Sequence, residues 1–385
     1  MRDVAVIGAG PAGLTAARAL AARGHDVVVL EEHPGIGVPV HCTGVLGVDA
    51  FTEFDLPRES ILGTAHTATF VAADGSSVSV DAERVEAAVV DRALFDQGLA
   101  ASSRRAGAEL RSDARVRAIA VGAAGVAIGV EGGDRVEARA CIIACGANYR
   151  FNRQLGLGVP RTFVQSAQLE QPLDGLDRVE VHLGRDVAPG GFAWLVPLER
   201  DGRPHARLGL MCDTRALARF RQFAARMRQR FGAAGDWPDP RLKVLPLGPV
   251  SRTYGTRLLA VGDAAGLVKP TTGGGIYYSL ISGRIAAETL DEALAADDLR
   301  DARLRRYETE WRARLGADIR IGLAFRTLAS RLNDRAIDAV VELARVDGIV
   351  PLLRETADFN WHRQSALALL KHAQFRKILL SSLWG

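Results

Sequence analysis

Two stretches of this sequence carry residue types that ordinary core packing does not require. In VGDAAGLVKPTTGGGIYYSL, Val261–Leu280, a lone acid, Asp263, stands at the end of the apolar run LLAV. Small residues surround it, and Gly273, Gly274 and Gly275 lead into a helical pattern. Something large and polar must come close to bare backbone there. In VAVIGAGPAGLTAA, Gly8, Gly10 and Gly13 follow a short apolar strand and open a helix, and Glu31 closes the next apolar run, 18 residues past Gly13. Gly8 suits a tight turn, Gly10 lets the backbone approach a pyrophosphate, and Gly13 lets helix and strand pack closely. The helix N-terminus offers unpaired N–H groups and a partial positive charge to that anion. An acid at the end of the second strand receives ribose hydroxyls and repels a 2′-phosphate. The chemistry is the binding of a dinucleotide with a free ribose, as in FAD or NAD.

The second stretch decides between these. Gly262-Asp263 is a further nucleotide-facing turn about 250 residues after the first, which fits a dinucleotide whose far half needs its own support. Asp263 suits a sugar-alcohol hydroxyl of FAD. The helix starting near Gly274 points its positive end at the ring edge where negative charge gathers on reduction. No second glycine fingerprint marks a nicotinamide site.

These residues need elements to position them. Strand, glycine turn, helix and strand in that order predict a Rossmann-like α/β unit, and the spacing makes it discontinuous: residues 1–50, 80–160 and 250–295. The runs RVEVHLG, FAWLVPL and HARLGLM, with HTATFVAADGSSVSV earlier, alternate with the period of half-buried strands. They predict an antiparallel sheet, residues 51–79 and 161–249, roofing the cofactor and forming the substrate wall. From 296 to 385 the pattern is helical, with Ile321, Phe325, Leu328 and Leu332, then Ile337, Val340, Val341 and Ala344, at helical spacing.

With 385 residues, 48% hydrophobic and 24% charged, the chain has a globular composition and disorder is excluded. Its uncharged runs are Gly-broken and fall short of the ~20 apolar residues of a spanning helix. Arg2-Asp3 is a poor charged leader and Pro11 interrupts the apolar run behind it, so a cytoplasmic protein is expected. Four scattered cysteines make no disulfide framework. Cys141 and Cys145, with no histidine nearby, are expected in the core, and no metal site is expected. The net charge is +4, and residues 301–385 hold fifteen Lys and Arg against ten Asp and Glu. The end, ALALLKHAQFRKILLSSLWG, with Lys371, Arg376, Lys377 and Trp384, suits either the inner surface of a membrane, as a peripheral contact, or a helix packed on the body. No nucleic-acid partner is expected.

Over nearly its whole length the chain resembles the geranylgeranyl reductase family, within the flavoproteins that share the aromatic-hydroxylase architecture. The resemblance is carried by GAGPAG with Glu31, by GVPVHCTG, VVDRALFDQGLA and GGFAWLVP, and most specifically by VGDAAGLVKPTTGGGIYYSLISGRIAAETL. It implies FAD contacts from Ala12, Glu31, Cys42, Thr43 and Gly44, from Arg92 and Val116, and from Asp263, Gly275 and Ile276. Two departures stand out. Cys145-Gly146 replaces the Asp-Gly of aromatic hydroxylases, and Phe192-Ala193-Trp194-Leu195-Val196-Pro197 replaces the Tyr-X-Trp-X-Phe-Pro of the family's reductases.

The implied activity is addition of two hydrogens to isolated double bonds of a polyisoprenoid chain, on a lipid or a prenylated quinone, with NAD(P)H or ferredoxin as external reductant. Phe192, Trp194 and Tyr277 are the expected substrate-side residues, with Tyr277 and Tyr278 as further proton donors. Cys42 is the first candidate for the acid, and His41 is expected to point elsewhere. Two alternatives use the same cofactor fold: a flavin monooxygenase or halogenase, and a flavoprotein passing electrons to a membrane quinone.

Overall fold

A computed structural model describes residues 1–82, 84–346, 349–356 and 358–384. The first strand, Arg2–Ile7, buries Val4, Ala5, Val6 and Ile7 in succession. Such a run, apolar on both faces, belongs inside a parallel sheet covered by helices. Val4 lies opposite Val27 of strand Val27–Leu30 on one side and opposite Ala140 of strand Arg135–Ile143 on the other, both parallel. Glu109–Arg111 extends the sheet beyond Val27–Leu30, while Leu258–Ala260 and Tyr254–Gly255 extend it beyond Arg135–Ile143. The hairpin Val116–Val121 and Val126–Val130 is attached to the same strand. Strands distant in sequence thus share one sheet, in the manner of a Rossmann-like unit.

The second sheet has seven strands, in the order Arg241–Pro246, Phe163–Pro172, Arg203–Cys212, Phe192–Arg200, Val179–His182, Thr67–Val71 and Ser77–Asp81. It is antiparallel except where Val179–His182 runs parallel to Thr67–Val71. That exception arises because two separate pieces of chain meet there. Its outer face is sealed by the helix Ala216–Arg230, which buries Phe220, Phe223 and Met227. A small sheet of Val45–Gly47, Ala87–Val90 and Ile61–Ala65 lies between the two units.

The helix Pro11–Ala21 packs along Ile276–Ala295, the 20-residue helix behind the second glycine turn. Gly283 makes this approach possible: a Cβ there would lie 2.4 Å from the Ala12 carbonyl oxygen. The C-terminal part is helical, with Asp301–Ala329, Asp334–Val346, Ile349–Thr356, Arg363–Lys371 and Ala373–Trp384. Leu332 falls outside its expected helix, which ends at Ala329. Among the described residues no helix is long and apolar enough to cross a membrane.

Because a methyl group at 283 must push the two packed helices apart, Gly283→Ala is expected to cost about 1–3 kcal/mol of stability. It should weaken FAD retention in parallel. Urea unfolding together with the flavin-to-protein absorbance ratio checks both.

Candidate active site

The two glycine turns open on one cavity of ≈ 910 Å³. At the first turn Gly8 adopts φ +109°, and a Cβ on it would lie 2.5 Å from the Ala144 carbonyl oxygen, so only glycine fits. A Cβ at Gly10 would meet no atom within 4 Å, which leaves that backbone open to a ligand. Glu31 ties strand and turn together: Oε2 accepts the Ala9 N–H at 2.8 Å and Oε1 accepts the His33 N–H at 3.0 Å.

Helices Pro11–Ala21 and Ile276–Ala295 both begin at the cavity. Neither has a side-chain cap or an acid in its first turn. Uncapped N–H groups with partial positive charge at two edges of one cavity, plus an acid, Glu31, at the end of the second strand, form the polar set of a dinucleotide site. The residues present fit FAD.

Cys42, Thr43 and Gly44 line the cavity beside Arg92. The Gly44 N–H donates to Cys42 Sγ at 3.4 Å, and Thr43 Oγ1 donates to Gln168 Oε1 at 2.5 Å. Asp91 caps the helix Arg92–Arg105, its Oδ1 accepting from Ala93 N and Leu94 N, which sets Arg92 at the helix start. Arg92 is not the surface charge that a helical arginine ordinarily is. It is nearly buried and donates to both oxygens of Asp96 at 2.9 and 2.8 Å. Burial opposes its charge, but Asp96 and Cys42 more than offset this and raise its pKa, whereas burial pushes the Asp96 carboxyl up.

The other expected cofactor residues, Ala12, Val116, Asp263, Gly275 and Ile276, also line the cavity, and Gly13 lies beneath the turn. Asp263 Oδ2 lies 3.6 Å from Lys243 Nζ, a cation that the sequence did not single out. His41 does not point away: it is on the cavity wall, and burial, then Lys243 and Arg241, lower its pKa.

At the other end the walls are apolar. Phe70, Val80, Val181, Phe192, Trp194 and Val196 present the inner face of the seven-stranded sheet to the cavity. The Trp194 indole lies against Gly209, where a Cβ would approach it to 2.3 Å, and its buried N–H has no hydrogen-bond partner.

Tyr277 is a correction. It is 4% exposed and outside the cavity lining, with its hydroxyl donated to Glu53 at 2.7 Å and its ring edge-on to Phe54 and Trp361. Tyr278, 1% exposed, is likewise outside the lining, and both rings pack against Trp361 of the C-terminal segment. Cys145 is also not a core residue. It lines the cavity half-buried, its thiol donates to the Asn148 carbonyl, and burial pushes its pKa up to about 12. Cys141 is fully buried, as expected.

The wall missed from sequence is the C-terminal one: Leu353, Arg354, Asp358, Phe359, His362 and Ser365 line the cavity, joined to the second glycine loop through Lys269 and Thr271. Among the described residues no group of His, Cys, Asp and Glu could hold a metal.

Fold and site together define an FAD-dependent oxidoreductase. Residues 2–171 match the pyridine nucleotide-disulphide oxidoreductase family. Digeranylgeranylglycerophospholipid reductase 2 of Methanopyrus kandleri is 32% identical over 371 residues, 91% of this chain and 92% of that protein. The corresponding enzyme of Methanospirillum hungatei is 30% identical, covering 88% of each chain. In structure the chain is similar to a geranylgeranyl bacteriochlorophyll reductase-like protein of Thermoplasma acidophilum, with a TM-score of 0.86 at 24% identity over 99% of both chains. It also shares its fold with halogenase PltM in complex with FAD, at a TM-score of 0.70, 15% identity, and 100% of this chain and 91% of that one. The chain belongs to the geranylgeranyl reductase family of FAD-dependent oxidoreductases.

Removing the Glu31 charge while keeping its shape tests the nucleotide end. Glu31→Gln is expected to weaken FAD binding by about 1.5–3 kcal/mol, the worth of a hydrogen bond to a charged group. That is roughly a 10- to 150-fold rise in Kd, read by fluorescence titration of the apoprotein. An unchanged Kd would take Glu31 out of the cofactor site.

Proposed function

We propose that this protein saturates isolated double bonds of geranylgeranyl-type chains carried by a glycerolipid or a prenylated quinone. One observation carries the reading: the dinucleotide turns and an apolar chamber walled by the seven-stranded sheet are a single cavity. A polar substrate would find almost no partners among Phe70, Val80, Val181, Phe192, Trp194 and Val196. An unfunctionalised hydrocarbon chain needs none.

Bound FAD, once reduced, supplies a hydride. The chain's own residues do the remaining work. Gly8, Gly10, Ala12, Gly13 and Glu31 hold the nucleotide half, with Val116 beside it. Asp263, Gly275 and Ile276 hold the ring half, and Arg92 with Thr43 and Gly44 fixes the loop between them. Phe192 and Trp194 hold the hydrocarbon and keep water out. An isolated alkene is a poor electrophile, so a proton must reach the second carbon nearly as the hydride reaches the first. Cys42 is the candidate donor that the family motif supplies. The reductant that reloads the site is NAD(P)H or a ferredoxin.

The test is anaerobic: the flavin is reduced, a geranylgeranyl glycerophospholipid or a menaquinone is added, and product masses are recorded. Gains of two hydrogens per double bond are expected. Unchanged tails, with the flavin reoxidised by the quinone headgroup or only by oxygen, would move the protein to the electron-transfer or monooxygenase class. In the same assay Cys42→Ala with full alkene turnover would remove that thiol from the mechanism.

The substrate is a membrane lipid, and the C-terminal helices carry exposed Val346, Leu367 and Leu380 on a basic segment. We expect this region to rest on anionic bilayers. Sedimentation with phosphatidylglycerol vesicles that weakens as salt rises would bear this out, and equal recovery with neutral vesicles would refute it.

A further inference from the structure

Cys42 is not the sole acid on the cavity wall. Lys269, in the run Val268-Lys269-Pro270 before the second glycine turn, is 4% exposed and lines the cavity. Its backbone closes the glycine loop, since Lys269 N donates to the Gly274 carbonyl and Gly273 N donates to that of Lys269. Its side chain lies on Gly274, where a Cβ would be 3.0 Å from Lys269 Cε. The ammonium reaches the C-terminal wall: Nζ donates to the Phe359 carbonyl at 2.6 Å and sits 4.4 Å from the Phe359 ring centroid. An ammonium has three N–H donors, and among the described residues no second hydrogen bond from Nζ is seen.

The groups around it do not neutralise it. Burial pushes its pKa down to about 7, opposed by the charge of Asp358. His362, the other titratable group at this place, shares a hydrogen bond with the Thr271 hydroxyl through Nδ1 and with the Phe359 carbonyl through Nε2. Burial, then Lys269, lowers its pKa to about 3, so it is neutral and donates through Nε2. The remaining charged groups on the cavity are engaged elsewhere, Arg92 with Asp96 and Lys243 with Asp263, while Arg354 lies 3.9 Å from Asp81. Lys269 is thus a desolvated cation without a paired carboxylate, placed between the glycine loop and the C-terminal wall of the chamber.

We propose that Lys269, in place of Cys42, is the catalytic acid of the alkene reduction, delivering the proton from Nζ to the alkene carbon that does not receive the hydride. The inference rests on the reductase reading above. In the step the π bond breaks and one carbon takes the hydride with its electron pair from the reduced cofactor. The other takes H⁺ from Nζ, and Lys269 is left as a neutral amine. The product gains two hydrogens, the cofactor is oxidised by two electrons, and the amine recovers its proton from water when the product leaves. Buried near neutrality, such an ammonium matches the requirement that a general acid lose its proton readily at working pH. It is protonated below its pKa, so proton delivery falls as pH rises through about 7.

Two measurements test this. The sequence has four lysines, Lys243, Lys269, Lys371 and Lys377, so ¹³Cε-lysine NMR of the FAD-free protein resolves each. One signal is expected to titrate near pH 7 and to vanish in Lys269→Arg. A set that titrates only near pH 10 overturns the proposal. Second, reduced enzyme is mixed anaerobically with a geranylgeranyl glycerophospholipid and flavin reoxidation is followed against pH. Lys269→Arg keeps the charge but cannot release a proton, and Lys269→Met removes a buried unpaired charge and so should fold at least as well. Both are expected to retain FAD and reoxidation by oxygen, while alkene-dependent reoxidation slows at least about 100-fold. Wild-type turnover matched in rate and pH profile by Lys269→Arg overturns the role of Lys269 alone. A wild-type enzyme that saturates no chain overturns the reductase reading and this proposal with it.

Discussion

One buried guanidinium holds the two sides of the chamber in register. Arg207 is 1% exposed. Its Nε donates to Glu170 Oε2 across the strand pair at 2.7 Å, and its Nη1 donates to the carbonyls of Thr43 and Val90 at 2.5 and 2.8 Å. The first partner belongs to the seven-stranded sheet, and the other two belong to the cofactor-side loop and the strand beneath it. Glu170 also receives Arg200, which reaches Asp91, the cap of the Arg92 helix. Burial alone would raise the Glu170 pKa, but Arg200 and Arg207 hold it below the usual range. A charge out of water costs several kcal/mol unless its partners are complete. The sheet therefore cannot slide against the Cys42–Gly44 loop without stranding a charge, and the spacing between cofactor loop and hydrocarbon wall is fixed.

The same desolvation argument divides the cavity. At the nucleotide end, donors are backbone N–H groups at helix starts, which present partial charge without side-chain entropy. At the hydrocarbon end, the sheet presents Phe70, Val80, Val181, Phe192, Trp194 and Val196, while Ser166, Gln168 and Lys243 line the cavity from the strands Phe163–Pro172 and Arg241–Pro246. Among the described residues Arg92 is matched there by Asp96 and Lys243 by Asp263, whereas Lys269 donates to a backbone carbonyl. The protein thus provides a dry region for the chain and confines its proton-handling groups to the seam where that region meets the cofactor loops.

How much of this was legible in sequence follows from the range of the interactions. The first 31 residues were read nearly to the residue, because glycine turn, strand period and acid are local demands. Alternation likewise pointed to an antiparallel sheet through the runs at residues 66–80, 178–184, 192–198 and 205–211, although not to the strands Phe163–Pro172 and Arg241–Pro246 or to its one parallel pairing, which depends on where residues 67–71 come to lie. Tyr277 was misread because its place next to the cofactor turn says nothing of its direction on the helix, and that is set by Glu53 and Trp361, each from another part of the chain. Lys269 was passed over for a related reason: flanked by Val268 and Pro270 it reads as a loop cation, and only the C-terminal segment buries it. Arg92 and Arg207 show the same limit, since arginine in a helix or strand is ordinarily a surface residue.

The C-terminal segment therefore completes the chamber. Trp361 is wedged against Tyr277 and Tyr278, with ring centroids 5.5 and 6.2 Å away, and the Arg314 guanidinium lies over its face. The Arg363 N–H donates to Asp318 on the long helix, so the segment is fastened at both of its neighbours. The helix that carries Tyr277 and Tyr278 is the one whose first turn lines the cavity. Docking of the closing wall and the shape of the cavity beside the second glycine turn thus share one element, and a displacement of either is felt by the other. Phe359 and His362 reach the cavity because Trp361 is held behind them. Residues late in the chain thereby determine the environment of a lysine ninety positions earlier.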